Sequence, residues 1–174
     1  MKGVNSLPVI KNLKETDRLK EKFFVSIVVL VLLSLIYGKV VQAKQNKEYL
    51  KDAQMYYTLQ ENLSKENPDT AIKKINYLQS KDKNNYLLFL DKATVYKNEK
   101  KYKLAKSQYE KAFKKRPLLL QDIKYVYLYG EILYLNNDYK EAIDYLLKVN
   151  EMQPENEYKQ SIDSMMYEML QKMK

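Results

Sequence analysis

The side chains of this chain that could do chemistry are tyrosines, lysines and carboxylates. There are seventeen Tyr, thirty-one Lys and Arg together, and twenty-two Asp and Glu, with neither His nor Cys. Without His the commonest general base and metal ligand is missing. Without Cys there are no disulfides, thiolate metal sites or cysteine nucleophiles. The three glycines, Gly3, Gly38 and Gly130, are too far apart to form a loop that cradles phosphate. The carboxylates are scattered along lysine-rich stretches, and no pair of them falls in an apolar setting that would raise a pKa. Enzymatic function is therefore not expected, although a carboxylate-only hydrolase stays formally open. No cofactor and no metal are expected.

The net charge is +9. Only Arg18 and Arg116 are arginine, and phosphate forks and base reading lean on Arg, so nucleic acid ranks low as a partner. Nine basic residues crowd between Lys97 and Arg116. They read first as solvated helix surface, and second as a contact for anionic lipid headgroups.

The elements that carry these groups fall into two classes. From Phe23 to Tyr37 there is no charge, and the apolar run extends to Val41, interrupted by Gly38 and Lys39. Nineteen helical residues rise roughly 28 Å, close to the ~30 Å hydrocarbon core of a bilayer. Residues 23–41 therefore read as a transmembrane helix acting as a signal anchor, behind a basic tail at 1–22. Tyr37 and Lys39 suit the interface. In the tail, Ser6 and Pro8 resemble a helix start, with Val9, Ile10 and Leu13 on one side. A rival reading is a signal peptide cleaved after Ala43, which would release the body. Five basic residues before the span against four after it favour a cytoplasmic N-terminus and a body on the far side.

Behind the span the sequence repeats. Ala93, Tyr96, Tyr102, Ala105, Tyr109, Ala112 and Pro117 recur at matching offsets as Gly130, Leu133, Tyr139, Ala142, Leu146, Val149 and Pro154. Small residues let two antiparallel helices approach, and large ones fill the same face beside them. Proline ends the second helix. Turns are expected at Asn98-Glu99-Lys100 and Asn136-Asn137-Asp138. Ala53, Tyr56, Ala71, Ile75 and Leu78 outline a weaker earlier copy, with six extra residues around Ser64 to Pro68 and no terminal Pro. Three extra residues near Leu120 stretch the interval from Ala105 to Ala142 to thirty-seven.

This pattern resembles the tetratricopeptide repeat. Phe89 stands where that family often has Trp, while Lys92 and Tyr129 depart from its usual Leu. The resemblance implies an all-α chain: the transmembrane helix, then a TPR-like α-solenoid over 44–156 and a capping helix over 157–174. The solenoid divides into a degenerate copy at 44–82 and two fuller ones at 86–119 and 123–156. The cap has Ile162, Met165, Met166, Met169 and Leu170 as its apolar face.

First helices of such repeats line a concave groove for a protein or peptide. If the family register holds, the lining is Leu50, Gln54 and Tyr57 in the first copy. In the second it is Leu87, Leu90, Thr94, Lys97 and Asn98, and in the third Lys124, Tyr127, Glu131 and Tyr134. This set lacks the Lys/Asn/Arg clamp with which some members hold a C-terminal carboxylate. Most tyrosines are expected in helix seams, with Tyr57, Tyr127 and Tyr134 held out as contact residues. The function implied is a membrane-anchored adaptor that holds a protein partner at the bilayer surface. In architecture it is similar to single-span bacterial inner-membrane proteins with a periplasmic repeat domain, which assist secretion, envelope assembly or chaperone networks, and this implies an accessory subunit of a secretion or envelope-assembly complex. The alternatives are a secreted repeat protein and an anionic-lipid or nucleic-acid binder using the Lys97–Arg116 cluster.

Overall fold

The computed structural model describes residues 8–152 and 156–174, with side chains placed from Lys20 onward except at Glu21, Asn156 and Glu157. Among the described residues there are seven α-helices, one 3-10 turn and no strand. The helices are α1 (Pro8–Asn62), α2 (Pro68–Lys81), α3 (Tyr86–Asn98), α4 (Tyr102–Lys115), α5 (Ile123–Leu135), α6 (Tyr139–Glu151) and α7 (Asn156–Lys172). The 3-10 turn, Pro117–Gln121, takes up the extra residues near Leu120. The chain divides into two compact units, Met1–Asp52 and Ala53–Lys174.

In the first unit α1 carries the apolar stretch. It is the one described helix long and apolar enough to cross a membrane, and none of that stretch is buried. Ser26 Oγ donates to the Lys22 carbonyl at 2.9 Å and Ser34 Oγ to the Val31 carbonyl at 2.7 Å, so both hydroxyls are satisfied within the helix. Helix α1 begins at Pro8, while Ser6 and the side chains of Val9, Ile10 and Leu13 lie outside the described residues.

The second unit is built from capped helices. Asn67 accepts from the Asp69 and Thr70 amides and Pro68 fills the first helical position, so the last two of the residues that interrupt the earlier copy start α2, while the Lys65 and Glu66 amides turn back onto the Asn62 carbonyl. Asn85 caps α3 through the Leu87 amide, and Asp122 caps α5 through the Tyr125 amide. Helices α3 and α4 form one hairpin and α5 and α6 a second, each closed by the same turn. Lys100 and Asn137 take positive φ, 56° and 65°. Their amides donate to the Lys97 and Tyr134 carbonyls, and the next amides, of Lys101 and Asp138, reach back to the Tyr96 and Leu133 carbonyls. Those paired bonds are the Schellman motif, with a left-handed residue just past the helix end. Helix α4 stops at Lys115, two residues before Pro117, and Pro154 lies outside the described residues.

Two apolar clusters hold this unit. Leu59, Ala71, Ile75, Leu78, Leu88 and Val95 join the end of α1 to α2 and α3. A larger cluster runs from Ala93 and Ala105 through Tyr125, Ile132 and Leu146 to Ile162 and Met169 on α7. Each fully buried Leu or Ile contributes about 2–3 kcal/mol through removal from water. The small-residue positions sit at helix crossings: Ala93, Ala105, Ala112 and Ala142 are all at 0% exposure. Within α7, Ile162, Met165 and Met169 are buried and Met166 half-buried, but Leu170 is 52% exposed, so the capping face is one residue narrower than its pattern implies.

Candidate functional site

The first helices of the hairpins, α3 and α5, flank a cleft of about 330 Å³. Leu87, Leu90, Asp91 and Thr94 from α3 form one wall, and Lys124, Tyr125 and Leu128 from α5 the other. Gln60 and Leu63 close one side, with Tyr109 and Leu119 behind. The cleft thus brings together four of the twelve residues expected to line a groove: Leu87, Leu90, Thr94 and Lys124. Thr94 Oγ1 donates to the Leu90 carbonyl at 3.0 Å, so its hydroxyl is satisfied within α3.

The other eight stand elsewhere. Leu50 belongs to the first unit and is 66% exposed. Gln54 and Tyr57, near the end of α1, are exposed, as is Asn98, the last residue of α3. The remaining four bond to the next helix of the stack. Lys97 on α3 pairs with Glu131 on α5. The Tyr127 hydroxyl lies 2.7 Å from Ser161 Oγ on α7, and the Tyr127 ring meets Tyr158 edge-on with centroids 4.7 Å apart. Tyr134 donates to Glu168 on α7, and that bond pushes its phenol up to about 12. Helix α7 therefore stands beside α5 as α5 stands beside α3, and these expected groove residues also bond to the next helix.

Asp91 stands at the cleft outside the expected groove lining. It is 9% exposed, and Gln60 Nε2 donates to its Oδ2 at 2.6 Å. Burial pushes the carboxyl up to about 6, with the Gln60 bond pulling the other way. Beside it, burial and then the Asp91 charge raise the Tyr56 phenol. The signal was present as one Asp inside Tyr86-Leu-Leu-Phe-Leu-Asp91-Lys-Ala93.

Tyrosines fill the seam behind the cleft, as expected for most of them. The rings of Tyr109, Tyr125 and Tyr129 lie 5.6–6.1 Å apart, and Tyr125 donates its hydroxyl to the Tyr109 carbonyl. Burial raises all three phenols, so they remain protonated. On α4 the basic cluster is partly spent. Lys106 bonds Asp138 and Glu141; burial opposes its charge, yet those bonds raise it to about 12. Lys115 donates to Asn84, and Arg116 donates to Tyr86.

Two segments of the chain, residues 88–117 and 123–156, match the family model of the tetratricopeptide repeat. They coincide with the two hairpins that share the turn bonds above. These hairpins are tetratricopeptide repeats. No curated protein matches the chain. Repeats of this family are as a rule scaffolds that bind other polypeptides, not catalysts, and their stacked first helices provide the binding surface.

Proposed function

We propose that the chain is a membrane-anchored adaptor whose tetratricopeptide repeats hold an extended polypeptide in the cleft between α3 and α5. The cleft carries this reading: it has leucine walls, a few polar groups and a volume at the low end for ligand pockets. The anchor is residues 23–41, whose apolar side chains find no cover in the structure. Residues 1–22 lie in the cytoplasm and the repeats on the far side, by the small excess of basic residues ahead of the span. The end of α1 with α2 acts as the degenerate first copy, through Leu59, Ala71 and Ile75. Such a protein would serve as an accessory subunit of a secretion or envelope-assembly complex.

The test uses the full chain in lipid nanodiscs. Mixtures of unstructured peptides should bind saturably, and Leu90→Lys, which places a long charged side chain in the cleft, should weaken binding at least tenfold. Binding unchanged by Leu90→Lys would remove the cleft from the account. Extraction of membranes with alkaline carbonate tests the anchor: the chain should stay with the lipid, and full release would contradict it.

A further inference from the structure

We propose that the cleft receives one arginine or lysine side chain of the bound polypeptide, with Asp91 as the carboxylate that takes the cation. The inference rests on the peptide-binding reading above and adds the chemistry of the partner.

Asp91 lines the cleft and is nine-tenths buried, so its charge is held away from water. A neutral amide, Gln60, bonds it in the structure. Cations close by in sequence are committed elsewhere: Lys92 donates to Asn76 at 2.6 Å and Lys97 pairs with Glu131. Lys124, on the opposite wall, is exposed. A second carboxylate at the cleft, Asp122, is occupied in capping α5. A buried carboxylate without a cation is costly, and a cation arriving from a partner offsets that cost while a neutral or acidic side chain does not.

The surroundings suit a cation as well. Tyr86 brings an aromatic ring to the cleft, and aromatic faces attract ammonium and guanidinium groups. That ring already holds one, since the Arg116 guanidinium lies 4.8 Å from its centroid. With about 330 Å³, the cleft takes one long side chain and its flanking backbone, not a folded surface.

The probes are nine-residue peptide mixtures, randomised over uncharged residues except for one fixed central residue: arginine, its neutral isostere citrulline, or glutamate. The full chain in nanodiscs should bind the arginine mixture at least about thirtyfold more tightly than the citrulline one, the loss expected when one member of a buried charge pair is removed. Asp91→Asn should abolish that preference with helicity retained. Lys124→Glu, at an exposed site, should strengthen arginine binding about threefold. Binding without a basic preference, or a preference that survives Asp91→Asn, overturns the inference and leaves the peptide-binding reading standing. Binding of none of the mixtures removes both. Agmatine binding as tightly as the arginine mixture assigns the cleft to a small amine and overturns the polypeptide as occupant.

Discussion

Lys97 on α3 and Glu131 on α5 form an ion pair across a 34-residue interval, joining equivalent first helices of the two repeats. The same interval recurs between Tyr127 and Ser161 and between Tyr134 and Glu168. One repeat length thus spaces the bonds that fasten α3 to α5 and α5 to α7. Both members of the Lys97 pair are about a quarter exposed, so the pair is worth roughly 1 kcal/mol or less. Lys97→Glu should lower stability by about that amount, and adding Glu131→Lys should restore most of it. Denaturant unfolding of the two variants measures this, and no recovery in the double variant would contradict the pairing.

Asp91 makes stability depend on pH. Its folded value is about 6 and its ordinary value 3.8, so the folded chain holds this proton to higher pH than the unfolded chain does. Stability from this group is therefore full below pH 4, falls between pH 4 and 6, and stays low above. Two units correspond to about 2–3 kcal/mol. Asp91→Asn should raise stability at pH 7.5 by about 2 kcal/mol and flatten that decline. Unfolding free energies at pH 4, 5, 6 and 7.5 check both effects.

Gly130 has its place because of Leu146. A Cβ there would lie 2.9 Å from Leu146 Cδ2 and 3.1 Å from its Cγ, in a core where Leu146 is fully buried. Gly130→Val should cost about 2–3 kcal/mol through overpacking. Combined with Leu146→Ala the loss should be less than the sum of the single losses by about 1 kcal/mol or more. A double-mutant cycle reads this coupling directly.

The repeats, their hairpins and the capping helix were legible because their signals are local. Small residues at fixed offsets mark helix crossings, and 0% exposure at Ala93, Ala105 and Ala142 follows from them. The residues expected to line a groove fall into separate surroundings. Leu87, Leu90, Thr94 and Lys124 meet at the cleft, whereas Tyr127 and Tyr134 bind α7. The family register tells which face a residue occupies, but a docked α7 and its Ser161 and Glu168 depend on tertiary packing that no offset encodes. Asp91 escaped because burial of one carboxylate is decided by α1, through Gln60, thirty-one residues away.

The turn after α3 holds Lys100 at φ 56°, in the left-handed region that costs an ordinary residue about 1 kcal/mol. Glycine avoids that cost but orders a freer chain, so Lys100→Gly should raise stability by roughly 0.5 kcal/mol. Asn137→Val, at φ 65° in the second repeat, should lower it by about 1–2 kcal/mol, because a β-branched residue resists that conformation. Thermal unfolding of both variants checks the two signs.

Photo-crosslinking on intact membranes tests the central claim most directly. A photoreactive amino acid replaces Leu87 or Leu90 at the cleft, or Leu104 or Leu147, exposed on the second helices α4 and α6. The account predicts one discrete adduct with a polypeptide from positions 87 and 90 and none from 104 and 147, with the adduct lost on adding Asp91→Asn. Equal adducts from both pairs of positions, or adducts from the second helices alone, would contradict it.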